Sequence, residues 1–152
     1  TSESDVECYL YHLLVSKAAF HQNFPTKDGR KTGLIHTEYL STLGWHVDLV
    51  VLDPRHMANY KLRKQKAMCQ IEIKMWRHTA HFNVKKEKEL RNRLMNDKQA
   101  HKFIIYLYQA NKSSYWCEFK EGLLKYKEEN EDLFLENTKI TALVTRIRPE
   151  IP

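Results

Sequence analysis

Two apolar runs constrain this chain most, because each carries charge where a buried strand should have none. The first is Val47-Asp48-Leu49-Val50-Val51-Leu52-Asp53. The second, after a basic stretch, is Gln70-Ile71-Glu72-Ile73-Lys74. Both read as core strands. An ionised group in a low-dielectric interior is costly unless it is paired or binds a metal. Asp48, Glu72 and Lys74 therefore either satisfy one another as a salt-bridge cluster or form a site.

The flanking sequence supplies the elements around these runs. Ser2 to Ser16 reads as an amphipathic helix continuing to about Phe20, with Val6, Leu10, Leu13 and Leu14 as its apolar stripe. Ser2 or Ser4 is the N-cap, and the helix dipole favours Glu3, Asp5 and Glu7 in the first turns. His21 to Thr32 reads as a loop with a turn at Lys27-Asp28-Gly29-Arg30. Gly33 to Ser41 and Trp45 to Leu52 form a hairpin that Pro54 ends. A short helix is expected around Met57 to Lys66, and a third strand over Met68 to Trp76. Asn83 or Thr79 caps a helix over Val84 to Asn96, on which Leu90 and Leu94 are the apolar pair. A buried strand follows over Lys102 to Tyr108. A helix then runs from Ser113 or Ser114 to about Asn130, with Trp116, Phe119, Leu123 and Tyr126 inward. Leu133 to Glu136 is ambiguous, and Ile140 to Ile147 reads as a last strand. The order α-β-β-β-α-β-α-β predicts one α/β domain over residues 1–152, a mixed sheet flanked by helices.

Composition narrows the function classes. Apolar residues make up 42% and charged residues 29%, as in soluble globular proteins. No apolar run approaches the ~20 residues needed to span a bilayer, so no membrane partner is expected. No basic-then-apolar leader is visible, so secretion is not expected. Cys8, Cys69 and Cys117 are far apart and odd in number, which suits reduced core thiols in a cytoplasmic protein better than disulfides or a zinc site. His78 and His81 lack neighbouring ligands at zinc spacing. No glycine-rich phosphate loop and no Gly-x-Ser-x-Gly elbow is present. The net charge of +6 is compatible with an anionic partner such as nucleic acid. Arg55, Lys61, Arg63, Lys64 and Lys66 form either a solvated connection or a phosphate-contacting arm. Lys85, Lys86 and Lys88 alternate with Glu87 and Glu89, the pattern of a solvated helix face.

If the two charged strands are neighbours, Asp48 comes opposite Glu72. Side chains alternate along a strand, so Glu72 and Lys74 share one face. Two carboxylates and a backbone carbonyl, that of Ile73, are hard oxygen donors suited to Mg²⁺. Such an ion polarises a phosphodiester and lowers the pKa of a bound water. A lysine one step along can orient that water or stabilise charge on the phosphate.

The hydrophobic-flanked Asp48 of His46-Val47-Asp48-Leu49-Val50-Val51, followed by the E-x-K of Glu72-Ile73-Lys74, resembles the PD-(D/E)XK nuclease superfamily. The expected element order over about Glu3 to Tyr108 is similar to the family's α-β-β-β-α-β core. The resemblance implies a restriction-endonuclease-like fold with an extra C-terminal helix and strand. It makes Asp48 and Glu72 metal ligands and Lys74 the catalytic lysine, with Glu3, Glu7 or Glu38 as candidates for a further acid, Glu3 slightly favoured. Arg77 and His78 follow the site, where family members often contact the substrate backbone. Val47 stands where the named motif has proline. The activity implied is Mg²⁺-dependent hydrolysis of DNA phosphodiesters, double-stranded DNA favoured and Mn²⁺ able to substitute. Cutting both strands would call for a homodimer, a partner subunit or two binding events. The alternatives are a nucleic-acid-binding or assembly module that does not cut, and an RNA-directed or branched-DNA nuclease.

Overall fold

The computed structural model describes residues 2–17, 20–40, 44–61, 64–77, 81–96, 100–109, 112–129 and 140–147. Its elements are α1 (Glu3–Val15), β1 (Phe24–Pro25), β2 (Lys31–Thr32), β3 (Ile35–Leu40), β4 (His46–Leu52), a 3₁₀ helix (Pro54–Asn59), β5 (Ala67–Arg77), α2 (Val84–Asn96), β6 (His101–Gln109), α3 (Ser113–Glu129) and β7 (Ile140–Ile147). The longer strands hydrogen-bond in the order β3-β4-β5-β6-β7. The fold is mixed α/β. The chain divides into two compact units, Thr1–Ile73 with Gln99–Phe103, and Lys74–Lys98 with Ile104–Pro152.

In the first unit, α1 begins on a capping box. The Ser2 hydroxyl accepts from the Asp5 amide at 3.1 Å, and the Asp5 carboxylate accepts from the Ser2 amide at 2.6 Å. Leu10, Tyr11, Leu14 and Val15 then pack on Ile35, Leu49 and Val51 of the sheet. Leu34, Val50, Leu52 and Met57 form a separate core cluster. Val47 and Leu49 to Leu52 are all buried, and each such aliphatic side chain contributes roughly 1.5–3 kcal/mol. That burial explains why β4 reads as a nearly continuous apolar run with one charge in it. Gly44, at φ +83°, precedes β4 in the left-handed conformation that suits glycine.

Three local expectations need correction. The segment 21–32 is not all loop: Phe24 and Pro25 pair with Thr32 and Lys31 around a turn where Gly29 takes φ +76°. The short helix that follows Asp53 stops at Asn59, well before the expected Lys66. Asp53 caps it, and the Gln65 side-chain amide donates to the carbonyls of Met57 (3.0 Å) and Tyr60 (2.6 Å), capturing acceptors that a longer helix would use. Cys8 and Cys117 are exposed rather than core thiols. Only Cys69 is half-buried, and burial pushes its thiol up to about 11.

In the second unit, Phe82, Tyr108, Phe119 and Tyr126 form an aromatic core against which Trp76, Trp116 and Leu123 pack. The Tyr108 and Phe119 rings stack at 4.6 Å. On helix α2, Lys85, Lys86, Lys88 and Glu89 are exposed, as expected of a solvated face, and Glu87 is the exception. Glu87 and Arg91 are buried on the same stripe as Leu90 and Leu94, and the Glu87 carboxylate accepts from both the Arg91 guanidinium and the Tyr106 hydroxyl. Burial, and then the charge of Glu87, push the Tyr106 hydroxyl well above its ordinary value. The ambiguous segment 133–136 lies outside the described residues.

Candidate active site

Asp48 occupies the central one of three neighbouring antiparallel strands. The β3–β4 register pairs Thr37 with Leu49 and Tyr39 with Val47, which sets Glu38 level with Asp48. The β4–β5 register pairs Val50 with Gln70 and Leu49 with Ile71; one step further sets Asp48 level with Glu72. Three acids from three strands thus fall in one row, Glu38, Asp48 and Glu72.

The backbone changes character at this row. The paired positions of β4 and β5 end at Leu49 and Ile71, and the next β5 amide on that edge, that of Ile73, donates to Asp48 Oδ2 at 2.6 Å. A carboxylate accepting a backbone N–H in place of a carbonyl makes a charge-assisted bond. On the other side, Glu38 is the one non-glycine residue with positive φ among the described residues, at +47°. That left-handed conformation costs an L-residue roughly 1–2 kcal/mol. It falls where the β3–β4 pairing skips a position.

Glu72 is buried at 3% exposure, while Asp48 and Lys74 are half-buried. Glu72 shares its strand parity with Gln70 and Lys74. Ile73 is fully buried. In an extended strand, the N–H and C=O of one residue leave the same edge, so the Ile73 carbonyl faces the β4 edge together with the amide that Asp48 holds.

Helix α1 brings Glu7, one turn beyond Glu3, near Glu38 and Asp48. Burial raises the Glu7 carboxyl above its ordinary value, and the negative charges of Glu38 and Asp48 raise it further. Glu3 is exposed in the first turn. Glu38 also reaches His46, whose Nδ1 lies 3.6 Å from its carboxylate with both side chains exposed.

Among the described residues, no group of three or more His, Cys, Asp or Glu side chains is arranged to hold a metal ion. The candidate donors are the Asp48 and Glu72 carboxylates, level on adjacent strands, and the Ile73 carbonyl. Hard oxygens of this kind fit Mg²⁺, which keeps several of its waters.

The basic segment is less uniform than its sequence. Arg55 forks onto Asp53, with Nε 2.9 Å from one carboxylate oxygen and Nη2 2.7 Å from the other. The Arg55 guanidinium holds the Asp53 carboxyl down at about 2. Lys66 Nζ lies 5.4 Å from the centroid of the Tyr60 ring. Lys61 and Lys64 are exposed. Arg77 is exposed, with Nε 2.9 Å from Met75 Sδ. Arg63 and His78 lie outside the described residues.

Two features escaped the sequence reading. Lys102 is buried at 2% exposure, in the same compact unit as Asp48 and Glu72. Its signal was a lysine opening an otherwise apolar strand. The other is the Asp53–Arg55 fork, signalled by an acid two residues before an arginine across Pro54.

No family model, curated protein or solved structure matches this chain. No helix among the described residues is long and apolar enough to cross a membrane.

Proposed function

We propose that this protein is a divalent-metal-dependent endonuclease of the PD-(D/E)XK type, with a restriction-endonuclease-like core, that hydrolyses DNA phosphodiester bonds. The observation that carries the reading is the level placement of Asp48 and Glu72 on adjacent strands, with the Ile73 carbonyl on the edge between them. Mg²⁺, or Mn²⁺ in its place, would supply Lewis-acid charge and a bound water of lowered pKa.

The chain's own residues define the remaining roles. The Ile73 amide orients the Asp48 carboxylate. Glu72 brings a second carboxylate from a buried strand position. Lys74, on the Glu72 side of the strand, orients the attacking water or carries positive charge toward the phosphate oxygens. Lys61 and Lys64 add backbone attraction that salt screens. Double-stranded DNA is the favoured substrate, and two-strand cutting would use a homodimer, a partner subunit or successive binding events.

A second reading is favoured by the Asp48–Ile73 bond itself, since a strand-closing carboxylate has a structural role without any ion. On that reading the chain binds or assembles on nucleic acid and does not cut. Incubation with plasmid, linear, single-stranded and branched DNA, and with RNA, separates these readings. Cleavage that needs Mg²⁺ or Mn²⁺ and stops with EDTA supports the nuclease and names its substrate. Salt-sensitive binding without cleavage of any substrate supports the module.

A further inference from the structure

A cavity of about 450 Å³ opens in the first unit where α1 meets the start of β3. Its walls include Tyr11, Phe20, Asn23, Thr32, Gly33 and His36. Volumes of about 300–1,000 Å³ are usual for small-ligand sites. Among its described lining residues there is no Lys, Arg, Asp or Glu. His21 and His36 are the lining side chains able to carry positive charge, so the wall offers a phosphate no permanent cation. It suits a neutral, planar, hydrogen-bonding ring: aromatic faces to stack on, and amide, hydroxyl and imidazole groups to read its edge.

The polar wall is ordered. His36 Nε2 lies 3.0 Å from Thr32 Oγ1 and 3.1 Å from the Gly33 carbonyl oxygen. A carbonyl only accepts, so Nε2 carries a proton and the ring is held in orientation by its own chain. Asn23 adds a donor and an acceptor on one amide. Gly33 matters by what it lacks: a Cβ there would meet only Asn23 Oδ1, at 3.9 Å, so a larger side chain has room to grow beside another residue of the cavity wall.

We propose that this cavity is a nucleobase-binding site, taking one unstacked base of a nucleic-acid strand. The choice of a base over other planar rings rests on the nucleic-acid reading above, whereas the cavity's neutral aromatic chemistry does not. A base seated here would be read by Asn23 and His36 and stacked on Tyr11 or Phe20.

The test is direct binding, without cleavage. The four deoxynucleosides, deoxyribose 5-phosphate and single-stranded hexanucleotides are titrated into the full chain and into Gly33→Leu, with amide NMR shifts as the readout. Gly33→Leu fills the cavity while keeping the carbonyl that holds His36, and its thermal melt checks folding; Asn23→Ala is the second variant. The expected result is saturable binding of at least one deoxynucleoside, shifts at Gly33 and His36, and at least tenfold weaker binding in both variants. Tighter binding of the matching hexanucleotide, lost in the same variants, identifies the source as a strand. Binding of deoxyribose 5-phosphate in place of nucleosides, nucleoside shifts away from this cavity, or no binding at all would overturn the proposal. Because no cleavage is read, an inactive protein that still binds a base refutes the nuclease and leaves the site standing.

Discussion

The Asp48 side chain closes the β4–β5 pairing with its own carboxylate: Oδ2 accepts the Ile73 amide at 2.6 Å where the paired positions end. One residue thus serves the strand and faces the candidate donor set. Substitutions can separate the two roles. Asp48→Asn keeps an acceptor for the buried amide, so its stability stays within about 1 kcal/mol of the parent. Asp48→Ala leaves that amide without its acceptor and costs about 1–3 kcal/mol. Both variants lose metal-dependent cleavage. Urea unfolding alongside a cleavage assay checks the pair.

Glu38 supplies a test in which local propensity and geometry disagree. Valine is a strong strand former, yet φ at this position is +47°. Glu38→Val therefore destabilises the protein by more than about 1 kcal/mol, while Glu38→Gly changes stability by less than that, its backbone relief offsetting added chain entropy.

The same acid cluster sets a pH dependence. The Glu7 carboxyl is raised above 4.5 in the folded protein. Its ionisation is thus disfavoured by folding, and stability falls as pH climbs from about 4.5 through the folded value. Glu38→Gln removes one of the two repelling charges. It lowers the Glu7 pKa and flattens the stability loss across that window, which a carboxyl NMR titration and melts from pH 4 to 7 would show.

The fold was legible where one signal dominated. The run around Asp48 could only be a buried strand, and α2 and β7 fall where periodicity placed them. The β1–β2 pair escaped because two residues per strand carry no periodicity. Glu87 escaped because a charge reads as solvated unless its i+4 arginine is seen to share the apolar stripe. For the site, strand parity gives Glu72 and Lys74 one face only as an expectation, and the register adds that Asp48 is level with Glu72. Sequence favoured Glu3 slightly over Glu7, two positions that share a helix stripe one turn apart, and the proximity of Glu7 to Glu38 and Asp48 shows only in the structure. The role of Asp48 toward a backbone amide depends on where the paired positions stop, which no residue pattern records.

Glu87 and Arg91 test the buried polar pair of α2. Arg91→Ala leaves a buried carboxylate without its guanidinium and costs about 3–5 kcal/mol. The double variant Glu87→Leu/Arg91→Leu costs less than Arg91→Ala alone, because the remaining stripe is apolar. Chemical denaturation of the single and double variants measures the coupling.

The central claim is that Glu72 takes part in metal-dependent phosphodiester cleavage. Its most direct test is the rate at which Glu72→Gln cleaves supercoiled plasmid with Mg²⁺, set against the parent and an EDTA control. Glutamine keeps the shape of this buried side chain, and a thermal melt verifies folding. The predicted result is a loss of at least about a hundredfold in rate with an intact fold. Cleavage by Glu72→Gln at the parent's rate would contradict the account.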